Sequence, residues 1–313
     1  MKFNAQHWGI ILGGSSGFGL ATAQKLAKHG MNICIVHRDR KGVMSRITPH
    51  FEALQKLGVQ VRTYNVNALS PESMTYVLDD LKEHMGPEGR LRMMLHSIAF
   101  GNLKLLAPET QALEENHHSM MQKFGQALGI EQNTLQEKID ALFAEGVDEL
   151  APIASLPKYS EELLQEEDFS LTVNSMGTSL AAWVKETFSR QLFADDARVL
   201  ALTSEGNEIS WKGYAAVSAA KVALEAIARS IAVEYAPYGI RANIIQAGVT
   251  DTPALRLIPG STHLKASAKS RNPYNRLTTP EDVANFICLM CQDEAAWANG
   301  NIIRVDGGEH ISG

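Results

Sequence analysis

Three side chains in the second half of the sequence are spaced to do chemistry together. Ala201-Leu-Thr-Ser204 is followed by Trp211-Lys-Gly-Tyr214 and then by Lys221. Tyr214 and Lys221 lie seven residues apart, so on a helix they differ by only about 20° in azimuth and face one cleft, two turns apart. A hydride delivered to a polarised carbonyl system creates an oxyanion, and a phenol is a suitable hydrogen-bond donor or acid for it. An ammonium beside the phenol can lower its pKa and also bond the ribose of a bound cofactor. Ser204, ending an apolar run, supplies a second hydroxyl.

Hydride chemistry needs a nucleotide, and Leu12-Gly13-Gly14-Ser15-Ser16-Gly17-Phe18-Gly19 offers a place for one. Gly13 permits the tight turn after a strand, Gly17 lets backbone approach a pyrophosphate, and Gly19 lets helix and strand pack closely. The following helix presents free N–H groups and the positive end of its dipole to phosphate. At the end of the next apolar run stands Ile35-Val36-His37-Arg38-Asp39-Arg40. A guanidinium at that tip can pair with a 2′-phosphate, so Arg38, helped by Arg40, points to NADPH in preference to NADH. The alternative is that Asp39 is the ribose ligand.

These residues must be held by strands and helices that alternate along the chain. Apolar, β-branched runs at Trp8–Leu12, Asn32–Val36, Gln60–Tyr64, Leu91–Leu95, Ala197–Thr203, Arg241–Gln246 and Ile302–Val305 read as strands. Several are continuously apolar, as parallel strands buried on both faces must be. Between them Gly19–Lys28, Pro71–His84, Leu171–Phe193, Tyr214–Tyr235 and Pro280–Cys291 read as helices, with Gly30 and Gly239 as left-handed stops. The pattern predicts a single α/β domain: a Rossmann-like, doubly wound parallel sheet of about seven strands.

Residues 101–170 interrupt this alternation after the fourth strand. They hold 14 acidic and 4 basic residues, a net charge of −10, whereas the other 243 residues sum to +4. Leu135–Leu142 and Glu161–Phe169 look helical, so the segment is expected to be a mainly helical insertion. It leaves the sheet at a strand's carboxyl end, where such folds bind ligands, and is read as an active-site cap; a dimerisation arm is the alternative. Met120, Met121 and Phe124 could give it a soft apolar face. His117 and His118 read as solvated, with no metal-like spacing around them.

Composition excludes other classes. With 29 Lys+Arg against 35 Asp+Glu the net charge is −6, which gives no general attraction to nucleic acid or anionic membrane. No apolar run is long enough to span a bilayer, and the first one is too short for a secretory leader, so a cytoplasmic enzyme is expected. Three cysteines make no disulfide framework, and Cys288 and Cys291 read as small core residues of one helix face rather than a redox or metal pair. No metal is expected.

The Gly-x3-Gly-x-Gly loop resembles the short-chain dehydrogenase/reductase family. Within it, Tyr-x6-Lys resembles the enoyl-acyl-carrier-protein reductase branch; commoner members place Tyr four before Lys, where this chain has Val217. His96-Ser97-Ile98-Ala99-Phe100, Gln246-Ala-Gly-Val-Thr-Asp-Thr252 and Val305-Asp306-Gly307-Gly308 are similar to that branch as well. The likeness covers about residues 8–100 and 170–313. It implies that Tyr214 bonds a thioester carbonyl while Lys221 holds the cofactor ribose. It also implies that Ile98, Val249 and Thr252 line the nicotinamide, that Ser97 binds the cofactor, that Asn65 and Val66 contact the adenine, and that Asn174 anchors a water path to Lys221. Ser204 stands where many enoyl reductases carry a second Tyr, and the resemblance is nearest to an NADPH-dependent subgroup with Ser there. It further implies an acyl-thioester substrate on acyl carrier protein or CoA, and a homo-oligomer built through two long helices. The expected reaction is reduction of an enoyl double bond. A carbonyl reductase and a non-catalytic NADP(H) sensor are the other readings.

Overall fold

Seven strands form one parallel sheet in the order β3-β2-β1-β4-β5-β6-β7 in the structure, a computed structural model that describes residues 2–312. They are β1 (His7–Leu12), β2 (Asn32–His37), β3 (Val61–Asn65), β4 (Arg90–His96), β5 (Phe193–Thr203), β6 (Ile240–Ala247) and β7 (Ile302–Val305). The order reverses between β1 and β4, and that switch point opens a crevice at the strands' carboxyl ends. Every residue of β2 is buried, as the unbroken apolar run requires.

One face of the sheet is covered by α1 (Gly17–Lys28), α2 (Met44–Gln55) and α10 (Pro280–Met290). The other is covered by α3 (Pro71–Met85), α7 (Ser179–Ser189) and α8 (Ala215–Glu234). Cys288 and Cys291 are buried in the first of these cores, among Ile287 and Val283. Among the described residues no helix is long and apolar enough to cross a membrane.

At the end away from the crevice, Asp196 gathers three guanidinium groups from adjacent strands. Arg92 and Arg198 reach it at 2.5 Å each, and Arg241 bonds the same carboxylate. Arg198 is fully buried and also donates to the Met290 carbonyl, so its charge is both paired and hydrogen-bonded.

Two helical expectations are corrected. The helix expected over Leu171–Phe193 begins earlier, as α6 (Glu166–Val173), runs through a π turn (Asn174–Thr178) into α7, and stops at Ser189. Only the last part of Glu161–Phe169 is helical, because Gln165 and Asp168 form a capping box that starts α6 there. The unexpected α2 carries Pro49 inside it, a residue that argues against helix in sequence alone.

The insertion contains α4 (Ala112–Leu128) and α5 (Gln132–Ala144). Met121, Leu135, Ile139, Phe143 and Ala154 make a small core of their own, closed by Ala266 of α9 (Ser261–Arg271). Met121 is thus interior to the insertion, while Phe124 is exposed. His117 bonds the Ala154 carbonyl and His118 bonds Gln132.

Candidate active site

The glycine loop forms as its spacing requires. Gly13 has φ +87°, and a Cβ there would lie 2.5 Å from the Ser97 carbonyl oxygen. A Cβ on Gly19 would lie 2.2 Å from the Gly13 oxygen, so only hydrogen lets α1 approach β1 this closely. The Ser16 side chain makes no capping bond, which leaves the first N–H groups of α1 open to an anion. Thr252, buried on the loop after β6, comes within 3.3 Å of where a Gly17 Cβ would stand. The glycine loop thus lies against Ser97 after β4 and Thr252 after β6, and its close backbone and open N–H groups fit the phosphates of a nucleotide.

The β2 tip is arranged by its neighbours. Asp39 turns inward, its Oδ2 2.7 Å from Nδ1 of the buried His37. Asn65 exchanges two 2.9 Å bonds with the Asp39 backbone, so its amide braces the tip. Arg38 remains outside, its guanidinium 4.4 Å from the centroid of the Phe100 ring.

Tyr214 and Ser204 meet across the crevice with hydroxyls 3.4 Å apart. Tyr214 occupies the N-cap of α8 with φ −106°, ψ 2°, not the helix itself, and a Cβ on Gly206 would be 2.4 Å from its ring. Gly206 lets the phenol lie against the turn after Ser204. Val217 is buried with Met176 and Ala220, so the alternative position for a catalytic Tyr is core.

Lys221 is buried, and its Nζ donates to the Leu202 carbonyl at 2.7 Å. Burial pushes its pKa down to about 8, and the charge of Glu225, one turn on, opposes that shift. Glu225 is itself fixed by Thr203 Oγ1 at 2.6 Å and Asn207 Nδ2 at 2.8 Å. The expectation that Lys221 lowers the Tyr214 pKa is not met: burial pushes the phenol up, and only the Ser204 hydroxyl works the other way. Tyr214 is accordingly protonated at neutral pH.

Asn174 is the sequence-predicted site residue that lies apart. It is exposed, and its Oδ1 accepts from Thr178 in the π turn. The extra residue per turn puts Ser175 inside instead, where it donates to the Phe100 carbonyl. Ser179 follows, 2.8 Å from Nε2 of the buried His96. Burial and the Lys221 charge push His96 down to about 3, so the ring is neutral.

Glu309 is a further buried group that sequence reasoning missed. It accepts from the Val249 N–H at 3.2 Å and lies 3.7 Å from Arg271 of α9, which pairs with Glu205 beside Ser204 at 2.7 Å. Burial pushes its pKa up to about 7. Nothing in the local sequence marks it, because its partners come from three distant segments.

The model of the family described as enoyl-(acyl carrier protein) reductase matches residues 13–124 and 137–310. The chain belongs to this family. It is a short-chain dehydrogenase/reductase of the enoyl reductase branch, and the family binds pyridine nucleotides. The match corrects the expectation that the insertion stands outside the likeness, since residues 125–136 alone interrupt it.

An enoyl-[acyl-carrier-protein] reductase (NADH) of Bacillus cereus is 31% identical over 147 residues, 47% of this chain and 57% of that protein. A cis-4-hydroxycyclohexanecarboxylate dehydrogenase of Sinomonas cyclohexanicum is 32% identical over 131 residues, 42% of this chain and 52% of that one. The chain thus spans little more than half the length of these relatives. The solved enoyl-acyl carrier protein reductase of Bacillus cereus with NADP+ and indole naphthyridinone is 20% identical, with a TM-score of 0.74 and full coverage of both chains, and shares the fold.

Proposed function

We propose that this protein reduces the carbon–carbon double bond of an enoyl thioester, a fatty-acyl one in chain synthesis, with NADPH as reductant. The observation that carries this reading is the Tyr214–Ser204 hydroxyl pair at the strand ends, with Lys221 buried behind it on α8. The bound nucleotide supplies the hydride. The protonated Tyr214 donates to the thioester carbonyl oxygen as negative charge gathers there, and Ser204 braces the phenol. Lys221, held by Leu202, presents its remaining N–H groups toward the cofactor ribose. Inward-turned Asp39 and free Arg38 support NADPH, because they leave a guanidinium and not a carboxylate at the ribose position.

The insertion supports the reading as a cap. Tyr159 lies against Gly213, Lys212 pairs with Glu109 at 3.1 Å, and Pro157 packs on Gly260 ahead of α9. Asp148 is likewise paired, with Lys269 at 2.7 Å. The cap therefore touches the segments on both sides of Tyr214's crevice. An anionic acyl carrier protein or CoA would approach from a face other than the acidic one. The outer face of α8, with Val222 48% and Val233 75% exposed beside Ala219 and Ala226, supports a homo-oligomer through this helix.

A second reading, carbonyl reduction, is favoured by the same Ser204–Tyr214 pair, since two hydroxyls converge where an alkoxide could be protonated. Loss of NADPH absorbance with crotonyl and longer enoyl thioesters, beside a panel of ketones and aldehydes, tests both. Turnover on enoyl thioesters alone is the expected result. Turnover on carbonyls alone, with oxidation of the product alcohol, replaces the first reading by the second.

A further inference from the structure

We propose that Phe100 is a specificity-determining residue for the nucleotide, holding Arg38 as a preformed receptor for a 2′-phosphate. The inference rests on the reading of Arg38 as the residue that selects NADPH.

The ring and the guanidinium come from different parts of the chain. Arg38 follows β2, whereas Phe100 follows β4 at the root of the insertion, and the two meet at 4.4 Å. Arg38 has no hydrogen-bond or salt-bridge partner among the described residues, so this stack is its one fixed contact. A guanidinium stacked by its face keeps its in-plane N–H donors free, and those are the donors that grip phosphate in pairs. An unstacked arginine would lose several rotamers' freedom on binding; a stacked one has lost much of it beforehand.

Phe100 can serve as this platform because it is fastened from behind. Its carbonyl accepts from the buried Ser175 of the π turn. The next residue, Gly101, sits so tightly that a Cβ would be 2.6 Å from Thr172 Cγ2, and the Asn102 N–H donates to Thr172 Oγ1 at 3.0 Å. The backbone is thus pinned on α6 and the π turn, while Phe100 stays 43% exposed and its ring meets Arg38. Asp39, the competing anion beside Arg38, is held by His37 at 2.7 Å.

The test is binding, measured by titration calorimetry without substrate, of NADPH and NADH and of the fragments 2′,5′-ADP and 5′-AMP. The variants are Phe100→Leu, Phe100→Tyr and Arg38→Ala. Phe100→Leu should weaken NADPH and 2′,5′-ADP by roughly two- to fivefold, the range of an exposed cation–π contact, and leave NADH and 5′-AMP unchanged. Phe100→Tyr, which keeps a ring, should behave as wild type. Equal weakening of both nucleotides by Phe100→Leu, or none, overturns the proposal while leaving the NADPH reading intact. A wild-type protein that binds NADH as tightly as NADPH, with a ratio indifferent to Arg38→Ala, overturns the NADPH reading and the proposal with it.

Discussion

Phe143 of the insertion stands edge-on against His263 of α9, ring centroids 4.9 Å apart, and so joins the added segment to the loop that follows β6. The contact seals the small core that Met121, Leu135 and Ile139 form. Phe143→Ala should loosen this seam by about 2–4 kcal/mol locally. With the cap in the proposed role, KM for the acyl substrate rises several-fold, whereas the Kd for NADPH stays within twofold. Steady-state kinetics beside calorimetric cofactor binding separates the two; a matching loss in both would remove the cap from substrate binding.

Removing the Tyr214 hydroxyl leaves the cradle untouched. Tyr214→Phe should lower kcat by 10²-fold or more, on the order expected for a positioned acid, with NADPH affinity unchanged. Gly206→Ala should approach the same defect without touching the phenol, because the new methyl displaces its ring. Single-turnover kinetics checks both variants.

The exposed Asn174 gives a contrasting expectation. Asn174→Ala should change turnover by less than about twofold, in the range of ordinary surface substitutions. Ser175→Ala, which frees the Phe100 carbonyl, should weaken NADPH binding. A large loss of turnover in Asn174→Ala would restore that residue to the water path.

Lys221 sets a pH dependence of stability. Its folded pKa of about 8 lies below the ordinary 10.5, so between those values the unfolded chain binds the extra proton and stability rises with pH. At pH 7 the buried ammonium is a liability on the order of 1–3 kcal/mol, offset in part by its bond to Leu202. Lys221→Met should therefore raise Tm at pH 7 while abolishing turnover, and the gain should vanish by about pH 10.5. Thermal unfolding across that range is the check.

Glu309 works in the opposite sense. Its folded pKa of about 7 lies above the ordinary 4.5, so the protonated form stabilises the fold below pH 4.5 and that contribution is lost as pH rises through 7. Glu309→Gln should flatten stability over this window and leave the variant more stable at pH 8, by an amount on the order of 1–3 kcal/mol. Denaturant midpoints at several pH values decide it.

The sheet was legible because apolar, β-branched stretches mark its strands, and all seven strands overlap those stretches. The glycine loop was legible because its glycines answer steric demands that no other residue meets. The outward turn of Asn174 was not, since a π turn has no sequence mark and one extra residue exchanges the buried and exposed sides. The phenol's raised pKa was hidden for a related reason. Seven-residue spacing reports direction along a helix, whereas Tyr214 caps the helix and its pKa answers to burial. Glu225 and Glu309 needed three-dimensional partners to be recognised at all.

The carboxylate of Asp196, bound by arginines from three neighbouring strands, lies at the opposite end of the sheet from every residue assigned to chemistry. The foundation and the workshop of this protein are therefore separate. Changes at the working end can therefore leave untouched the spacing and register that the arginine cluster sets at the other.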